Sequence, residues 1–446
     1  MAVMTSTDNS TERPSRKSGP KLLVLSPVSP MRAYSGLKYL CDALTDLGVD
    51  IELWGLIPRE LVGEARDWRY PVRSFLCTWY GSIRRFRMWA MWWHVLLLGL
   101  LTKRDILYVD LTFIRQIALI KAIRPKKRLI HYCPEYYTEQ DKPYDRALFR
   151  CYRRHSNMAD MVVDVERNRA ALRMLEFGLT RMPLVIPNSI PLRALPPPSP
   201  EGTLARLAGG TPLPGLPILL YCGGAGPETG IETIIDAVAD MATPAFFLAF
   251  CYGTNERLAA LRELCERKVG GHRARICDAA PRGLLLAAMH EADAAIMYYP
   301  VDMCLNTKYC APSKVYEYLS AGLPVVSSAN PSMRELLMDR DVGTCAADDS
   351  SAELKDAIAR LLSDRPRLNA IRVRARAQFI QELSYEQLSR EPIAHLFDWL
   401  SGRLKKGAGP ELTRGNLAKS PGCGAPVPVF QSAVGDGCQR SSSGCM

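Results

Sequence analysis

The chain has 446 residues, 48% of them hydrophobic, which is too long for one ordinary hydrophobic core and predicts two domains. Lys and Arg number 57 against 46 Asp and Glu, and the resulting net charge of +11 favours anionic partners over cationic ones. The fourteen cysteines form no Cys-x-x-Cys pair and show no zinc-type spacing, so we expect free thiols in a reducing, cytoplasmic compartment.

The first half of the chain predicts an α/β layer. Residues 1–20 are polar, without apolar periodicity or the apolar core of a secretion signal, and we expect them to be disordered. "KLLVLSP" then predicts a buried strand, "YSGLKYLCDALTDLG" a helix that stops at Gly48, and "VDIELWGL" the next strand. The alternation continues through "DILYVD", "IRQIALIKAIRP", "KRLIHYC", "ADMVVDVE", "RNRAALRMLEFG" and "PLVIPNS". Helical crossovers join parallel strands, so residues 21–190 are predicted to form a Rossmann-like domain.

A second domain of the same kind follows a segment rich in Pro and Gly. Residues 191–216 predict an irregular interdomain linker. The strand and helix pattern restarts at "ILLYCGG" and predicts a second Rossmann-like domain over residues 217–390. Residues 391–406 predict a last helix, and residues 407–446 a disordered, mildly basic tail. The predicted fold class is therefore α/β, with two Rossmann-like domains in tandem.

One apolar and basic segment of the first domain, "RRFRMWAMWWHVLLLGLLTKR", has two interpretations. Its apolar run, Met88 to Leu101, is shorter than the roughly twenty residues of a membrane span. It predicts either a buried helix against the sheet or a helix at a membrane interface, with basic residues near acidic lipid. Residues 84–128 contain eleven Lys and Arg but two Asp, so they carry most of the net charge of +11. A nucleic-acid partner is not expected, because no recognised binding module is present.

The stretch "KYCAPSKVYEYLSAGLPVVSS" predicts a short helix with an anion site at its start. Ser313 is a candidate cap, and Gly322 ends the helix. Lys314 and Glu317 share one stripe of this helix. A helix start with a lysine suits a phosphate, and a carboxylate one turn deeper can accept hydrogen bonds from ribose hydroxyls. The alternative is a surface helix with an ordinary Lys/Glu pair.

Several segments resemble GT-B glycosyltransferases, in particular bacterial family 4-like (group 1) enzymes. "APSKVYEYLSAGLPVVSS" with "NPSMREL" is similar to their donor-site signature, and "ILLYCGGAGPETGIETIIDAV" to the first unit of their donor domain. "ADMVVDVERNRAALRMLEFG" followed by "VIPNS" resembles the end of their acceptor domain. The resemblance covers most of the chain between the predicted disordered ends. It implies an acceptor domain and a donor domain that face each other across a cleft.

This resemblance also implies the reaction. The enzyme would be of hexosyltransferase type, and would move a sugar from a nucleotide-diphosphate sugar to a hydroxyl of a glycan or lipid-linked acceptor. The implied pathway is surface polysaccharide or glycolipid biosynthesis at the inner face of the plasma membrane. No Asp-x-Asp motif is apparent, and the family implies neither a metal ion nor another cofactor.

The resemblance assigns roles to residues of the second domain. Glu317 matches the glutamate that binds the donor ribose, and Ser313 and Lys314 fall at the diphosphate contacts. Gly223 and Gly224 match a glycine turn that lets the backbone approach the diphosphate.

Two roles fall in the first domain. His131 is similar to a histidine that faces the donor sugar, and it is the catalytic candidate. Gly36 falls in a loop that approaches the diphosphate from the first domain. If the product is inverted, a base must lie beside the acceptor hydroxyl, and Glu135, Glu139 and Asp141 are further candidates for it.

The sequence departs from the family pattern at two places. Many retaining members carry a second glutamate where this chain has Tyr309, so Asn306, Thr307 and Lys308 are the candidate sugar contacts. Basic residues that often follow the glycine turn are absent from "GGAGPETG". We expect Lys308, Lys314 or Arg32 to supply that charge.

Two other functions remain open. Gly224, Gly226 and Gly230 form a loose dinucleotide-binding pattern after a strand, which favours an NAD(P)-dependent oxidoreductase. Glu256 or Arg257 would then have to recognise the ribose. A non-catalytic GT-B homologue that scaffolds a membrane complex is the other alternative.

Overall fold

The structure, a computed structural model, describes residues 19–27, 35–57, 68–75, 84–141, 146–210 and 215–404, without the side chains of 84–88. Two parallel sheets, each with helices packed on it, confirm the predicted α/β class with two Rossmann-like domains. Arg32 and the predicted tail 407–446 lie outside the described residues, as does most of the predicted segment 1–20. No helix in the described ranges is both long and apolar enough to cross a bilayer.

The first domain is built on a seven-stranded parallel sheet in the order β3-β2-β1-β4-β5-β6-β7. Its strands are β1 (Lys21–Leu25), β2 (Asp50–Gly55), β3 (Val72–Ser74), β4 (Asp105–Val109), β5 (Leu129–Cys133), β6 (Met161–Asp164) and β7 (Leu184–Val185). β5 is buried at every position. Helices cover both faces of such a sheet, which is why a central strand such as β5 is buried along its whole length.

Within the described ranges, five α-helices lie between these strands. They are α1 (Ser35–Asp46), α2 (Arg84–Leu101), α3 (Ile114–Ile123), α4 (Arg146–His155) and α5 (Arg167–Glu176). After α1 the chain turns at Gly48, whose φ of 89° lies in the left-handed region that glycine adopts without strain. The Glu166 carboxylate caps α5 by accepting a hydrogen bond from the backbone N–H of Arg169 at 2.8 Å.

The predicted irregular linker 191–216 contains more structure than its composition suggests. Residues Thr203–Leu207 form a short helix, α6. The Glu291 carboxylate of the second domain accepts the backbone N–H groups of Gly202 at 3.0 Å and Leu204 at 3.1 Å. These two bonds satisfy donors at the start of α6 and hold the segment against the second domain.

The second domain has a six-stranded parallel sheet in the order β10-β9-β8-β11-β12-β13. Its strands are β8 (Ile218–Gly224), β9 (Phe246–Tyr252), β10 (Ala274–Asp278), β11 (Ala294–Met297), β12 (Val325–Ser327) and β13 (Gly343–Cys345). Its helices are α7 (Ile231–Ala239), α8 (Asn255–Lys268), α9 (Arg282–Ala288), α10 (Leu305–Lys308), α11 (Ser313–Ser320), α12 (Pro331–Leu337), α13 (Ser351–Leu362) and α14 (Arg365–Gln378).

The last helix, α15 (Tyr385–Leu400), returns to the first domain. It begins earlier than the predicted 391–406 and contains Pro392 in its interior. The Arg128 guanidinium donates to the carbonyls of Trp399 and Leu400, both at 2.8 Å, and anchors the end of α15 to the first domain. The domains are therefore joined by two crossings, the linker and the segment before α15.

Candidate active site

A pocket of about 360 Å³ lies between the two domains. The first domain contributes Ser35, Gly36, Pro134, Glu135 and Asn188. The second domain contributes the ends of β8 and β9 and the starts of α9 and α11. In open α/β sheets this edge, beyond the carboxyl ends of the strands, is where ligands bind.

The start of α11 faces this pocket. Pro312 precedes the helix in an extended conformation (φ −75°, ψ 133°) and provides no side-chain cap. Ser313 is the first helical residue, so the prediction that it caps the helix is wrong by one position. Since no capping side chain is described here, the backbone N–H groups of the first turn are available to a ligand.

Lys314 has a buried ammonium group without a hydrogen-bond partner among the described residues. The residue is 8% exposed and lines the pocket. Its Nζ lies 4.6 Å from the ring centre of Tyr221 and 4.8 Å from that of Tyr299. Burial lowers the pKa of Lys314 to about 8. The aromatic rings compensate part of the lost hydration, and an anion in the pocket would compensate the rest.

Glu317 lies one turn after Lys314 and is 9% exposed. Its Oε1 accepts hydrogen bonds from Arg282 Nε at 2.9 Å and Nη2 at 2.5 Å. Arg282 also donates from Nη1 to the Tyr39 hydroxyl of α1 at 2.9 Å. The carboxylate is thus fixed by a residue that also contacts the first domain, and it is not the surface Lys/Glu pair of the alternative interpretation.

Arg282 was not predicted from the sequence. It is the first residue of α9 and follows Pro281 at the carboxyl end of β10. A basic residue just beyond a strand end was the available signal, because that end of a parallel sheet carries the site. Among the described residues, Arg282 and Lys314 are the cations that line the pocket.

The predicted glycine turn lies where β8 ends. Gly223 and Gly224 both line the pocket, and the Tyr221 hydroxyl donates to the Gly224 carbonyl at 2.7 Å. A Cβ at Gly223 would lie 2.9 Å from Lys314 Nζ. Glycine here therefore lets the ammonium group lie close to the backbone at the end of β8.

Gly36 also lines the pocket, but it is the second residue of α1 and not part of a loop. A Cβ there would lie 2.5 Å from Asn188 Oδ1 and 2.9 Å from the Tyr132 hydroxyl. Asn188 in turn donates from Nδ2 to the carbonyl of Ala311, just before α11, at 2.9 Å. The close approach at Gly36 brings the N-terminal ends of α1 and α11 to the same pocket, and both ends carry partial positive charge.

The sequence of the second domain matches a known protein family. Residues 211–378 match the family model described as glycosyl transferases group 1. The second domain is therefore similar in sequence to group 1 glycosyltransferases. The matched residues include β8, Arg282 and all of α11, so they contain the second-domain wall of the pocket. No curated protein matches the sequence.

Solved structures show that the whole fold is GT-B. A sucrose-phosphate synthase from Thermosynechococcus elongatus has a TM-score of 0.66 at 16% identity, over 86% of this chain and 100% of that one. HepE from Anabaena, in complex with UDP-glucose, has a TM-score of 0.66 at 14% identity, over 84% and 99%. WaaG, a glycosyltransferase involved in lipopolysaccharide biosynthesis, has a TM-score of 0.60 at 13% identity, over 86% and 100%.

Three other predicted residues of the second domain do not line the pocket. Asn306, Thr307 and Lys308 lie in α10. Thr307 donates from Oγ1 to the carbonyl of Cys304 at 2.9 Å, and Lys308 Nζ lies 5.9 Å from the ring centre of Tyr309. Lys308 is therefore not a cation of this pocket. Asn306 instead contacts the first domain.

His131 is enclosed in the core of the first domain. It is fully buried in β5, its ring is stacked on Tyr108 at 4.5 Å, and Nε2 lies 3.2 Å from the carbonyl oxygen of Asp110. Burial, and then the charge of Arg173, hold the pKa of His131 well below its ordinary value. The structure does not bring His131 to the GT-B pocket, because the residues that line the pocket next to β5 are Pro134 and Glu135, which follow the strand.

Proposed function

We propose that this protein transfers a sugar from a nucleotide-diphosphate sugar to a hydroxyl of a glycan or lipid-linked acceptor. The observation that carries the proposal is the buried Lys314 ammonium, which has no hydrogen-bond partner among the described residues and lines a pocket beside the start of α11. A diphosphate supplies the missing anion. The group 1 match of residues 211–378 favours this reaction over the oxidoreductase and the non-catalytic scaffold.

The leaving group of this reaction is the nucleoside diphosphate. As the bond between the anomeric carbon and the diphosphate breaks, positive charge develops on the sugar ring and negative charge on the departing phosphate. Lys314 and the N-terminal ends of α11 and α1 are preorganised around that negative charge, where they stabilise it more in the transition state than in the bound donor. We propose that these groups act without a metal ion or another cofactor.

The ribose is proposed to bind Glu317. Arg282 holds Oε1 of this carboxylate at 2.5 and 2.9 Å and sets its orientation. Two neighbouring ribose hydroxyls can donate to the remaining lone pairs of the carboxylate. Gly223 and Gly224 let the diphosphate approach the backbone at the end of β8. HepE was solved with UDP-glucose, which makes a UDP-sugar the first donor to test.

A panel of nucleotides tests this proposal. Among UDP, GDP, ADP and their sugars, the diphosphate of one base should raise the unfolding temperature by a few degrees when it is present at about 100 times its Kd. The shift should persist in EDTA, because protein groups neutralise the diphosphate. No shift with any of them would contradict the proposal, and a shift with NAD(P) alone would favour the oxidoreductase.

The exposed surface of α2 supports a proposal about where the acceptor is reached. This helix buries Met91 and Val95 against the domain, so the buried-helix interpretation holds for one face. The other face exposes a stripe of apolar side chains at intervals of four residues: Trp89, Trp93, Leu97 and Leu101. The positive charge of the chain is concentrated in the same part, residues 84–128. We propose that this face lies on an anionic membrane at its cytoplasmic side, where a lipid-linked acceptor for a surface polysaccharide or glycolipid would be reached.

Vesicle binding tests the membrane contact. Trp89→Gln, at a side chain that is 60% exposed, should lower binding to anionic phospholipid vesicles about tenfold, because less apolar surface is removed from water. Val373→Gln, at a 73% exposed apolar residue of α14, is the matched control and should bind like wild type. Equal binding by both variants, or no binding of wild type, would refute this contact.

A further inference from the structure

One carboxylate of the first domain faces the pocket, and neither the family resemblance nor the proposed donor contacts use it. Glu135 follows β5 and lines the pocket together with Lys314 and Gly224 of the other domain. Its side chain is 36% exposed, so a bound molecule can reach it. It is therefore a charged group on the acceptor-domain wall of the pocket, opposite the cations of the donor domain.

Glu135 is held in place by the donor domain. Asn306 Nδ2 donates to Glu135 Oε2 at 2.8 Å, and Asn306 Oδ1 accepts the backbone N–H of Tyr136 at 2.9 Å. The amide of Asn306 thus binds both the carboxylate and the backbone next to it. This two-point contact leaves the carboxylate little rotational freedom.

A buried arginine completes this support. Arg169 of α5 is 3% exposed and donates to the carbonyls of Asn306 at 2.8 Å and Tyr309 at 2.6 Å. Its Nη1 lies 3.6 Å from Glu135 Oε2 and donates to the carbonyl of Pro134 at 3.2 Å. Arg169 therefore ties α10 to the segment after β5 and helps to orient the Glu135 carboxylate.

We propose that Glu135 is a sugar-contacting residue, whose carboxylate accepts hydrogen bonds from hydroxyls of the sugar being transferred. This inference rests on the proposed function. Lys314 and Glu317 occupy the donor-domain side of the pocket and suit the diphosphate and the ribose. The sugar beyond the diphosphate then faces the first domain, where Glu135 is the acidic side chain among the described lining residues. α10 contributes through Asn306, which positions this carboxylate and does not itself line the pocket.

The test compares binding of the intact nucleotide sugar with binding of the nucleoside diphosphate alone. Glu135→Gln should lower kcat/KM for sugar transfer, and the affinity for the intact nucleotide sugar, by about 10- to 100-fold, since a hydrogen bond to a charged acceptor is weakened. Its affinity for the nucleoside diphosphate alone should stay within about twofold of wild type. Glu52→Gln is the matched control, because that carboxylate of the first domain is 23% exposed, pairs with Arg73 and Arg104, and does not line the pocket.

Asn306→Ala distinguishes sugar binding from a purely structural role. If Glu135 only joined the domains, Glu135→Gln and Asn306→Ala would weaken binding of the diphosphate and of its sugar equally, and that result would overturn the inference. Wild-type affinity of Glu135→Gln for the nucleotide sugar would overturn it as well. A wild-type protein that binds no nucleoside diphosphate would instead refute the proposed function itself.

Discussion

Glu317→Ala is expected to lower the affinity for the nucleoside diphosphate by about a hundredfold or more. The variant loses the carboxylate that we propose as the acceptor of two ribose hydroxyls, and hydrogen bonds to a charged group contribute about 1.5–3 kcal/mol each. It also frees Arg282, whose guanidinium otherwise binds Glu317 Oε1. Isothermal titration of wild type and variant with the nucleotide identified in the panel measures the change.

The control for this variant keeps the carboxylate and removes its link to the first domain. Tyr39→Phe deletes the hydroxyl that accepts from Arg282 Nη1 at 2.9 Å but leaves Arg282 on Glu317. Its affinity should fall less than about tenfold, the effect of one modest hydrogen bond. If Glu317→Ala binds the nucleotide as well as Tyr39→Phe does, Glu317 does not hold the ribose.

Lys314→Met is expected to weaken nucleotide binding strongly and to stabilise the free protein. Burial lowers the pKa of Lys314 from 10.5 to about 8, so keeping it charged at pH 7 costs the folded state about 3 kcal/mol. Methionine has a similar shape and no charge to desolvate. We expect the free energy of unfolding to rise by about 1–3 kcal/mol and the nucleotide affinity to fall by at least about a hundredfold.

The lowered pKa of Lys314 also predicts how stability and nucleotide affinity change with pH. The folded protein binds fewer protons than the unfolded chain between about pH 8 and 10.5, so the stability of wild type rises with pH in that window. The advantage of Lys314→Met is therefore largest below pH 8 and shrinks above it. Wild-type nucleotide affinity should fall above pH 8, by up to about tenfold per unit, while that of the variant stays flat. A variant that is less stable than wild type at pH 7, or that binds equally well, would contradict this role for Lys314.

The helix that carries the candidate site was predictable because its determinants are local. The sequence around Lys314 and Glu317 places both on one stripe, and Gly322 ends the helix region with a φ of 73° that glycine tolerates. The parallel strands were predictable for the same reason, as short apolar runs between helical patterns. Ser313 was predicted as the N-cap, but Pro312 occupies that position. Sequence spacing alone does not resolve a helix boundary to within one residue.

The contacts across the pocket were not predictable, because they depend on tertiary packing. Arg282 lies 35 residues before Glu317, and no local pattern joins them. Asn306 lies close to Glu317 in sequence, yet α10 directs its side chain to Glu135, 171 residues away. The sequence around His131 resembles a functional segment of the family, but β5 is buried and holds this histidine in the core. Packing against the first domain likewise lets α15 continue through Pro392, where sequence rules favour a boundary.

A crystal structure of the protein with its nucleoside diphosphate tests most directly whether the interdomain pocket is the donor site. We predict a phosphate oxygen about 2.7–3.2 Å from Lys314 Nζ, with the ribose hydroxyls on the Glu317 carboxylate. A nucleotide bound elsewhere, with the ammonium still between Tyr221 and Tyr299 and no anion beside it, would contradict the account.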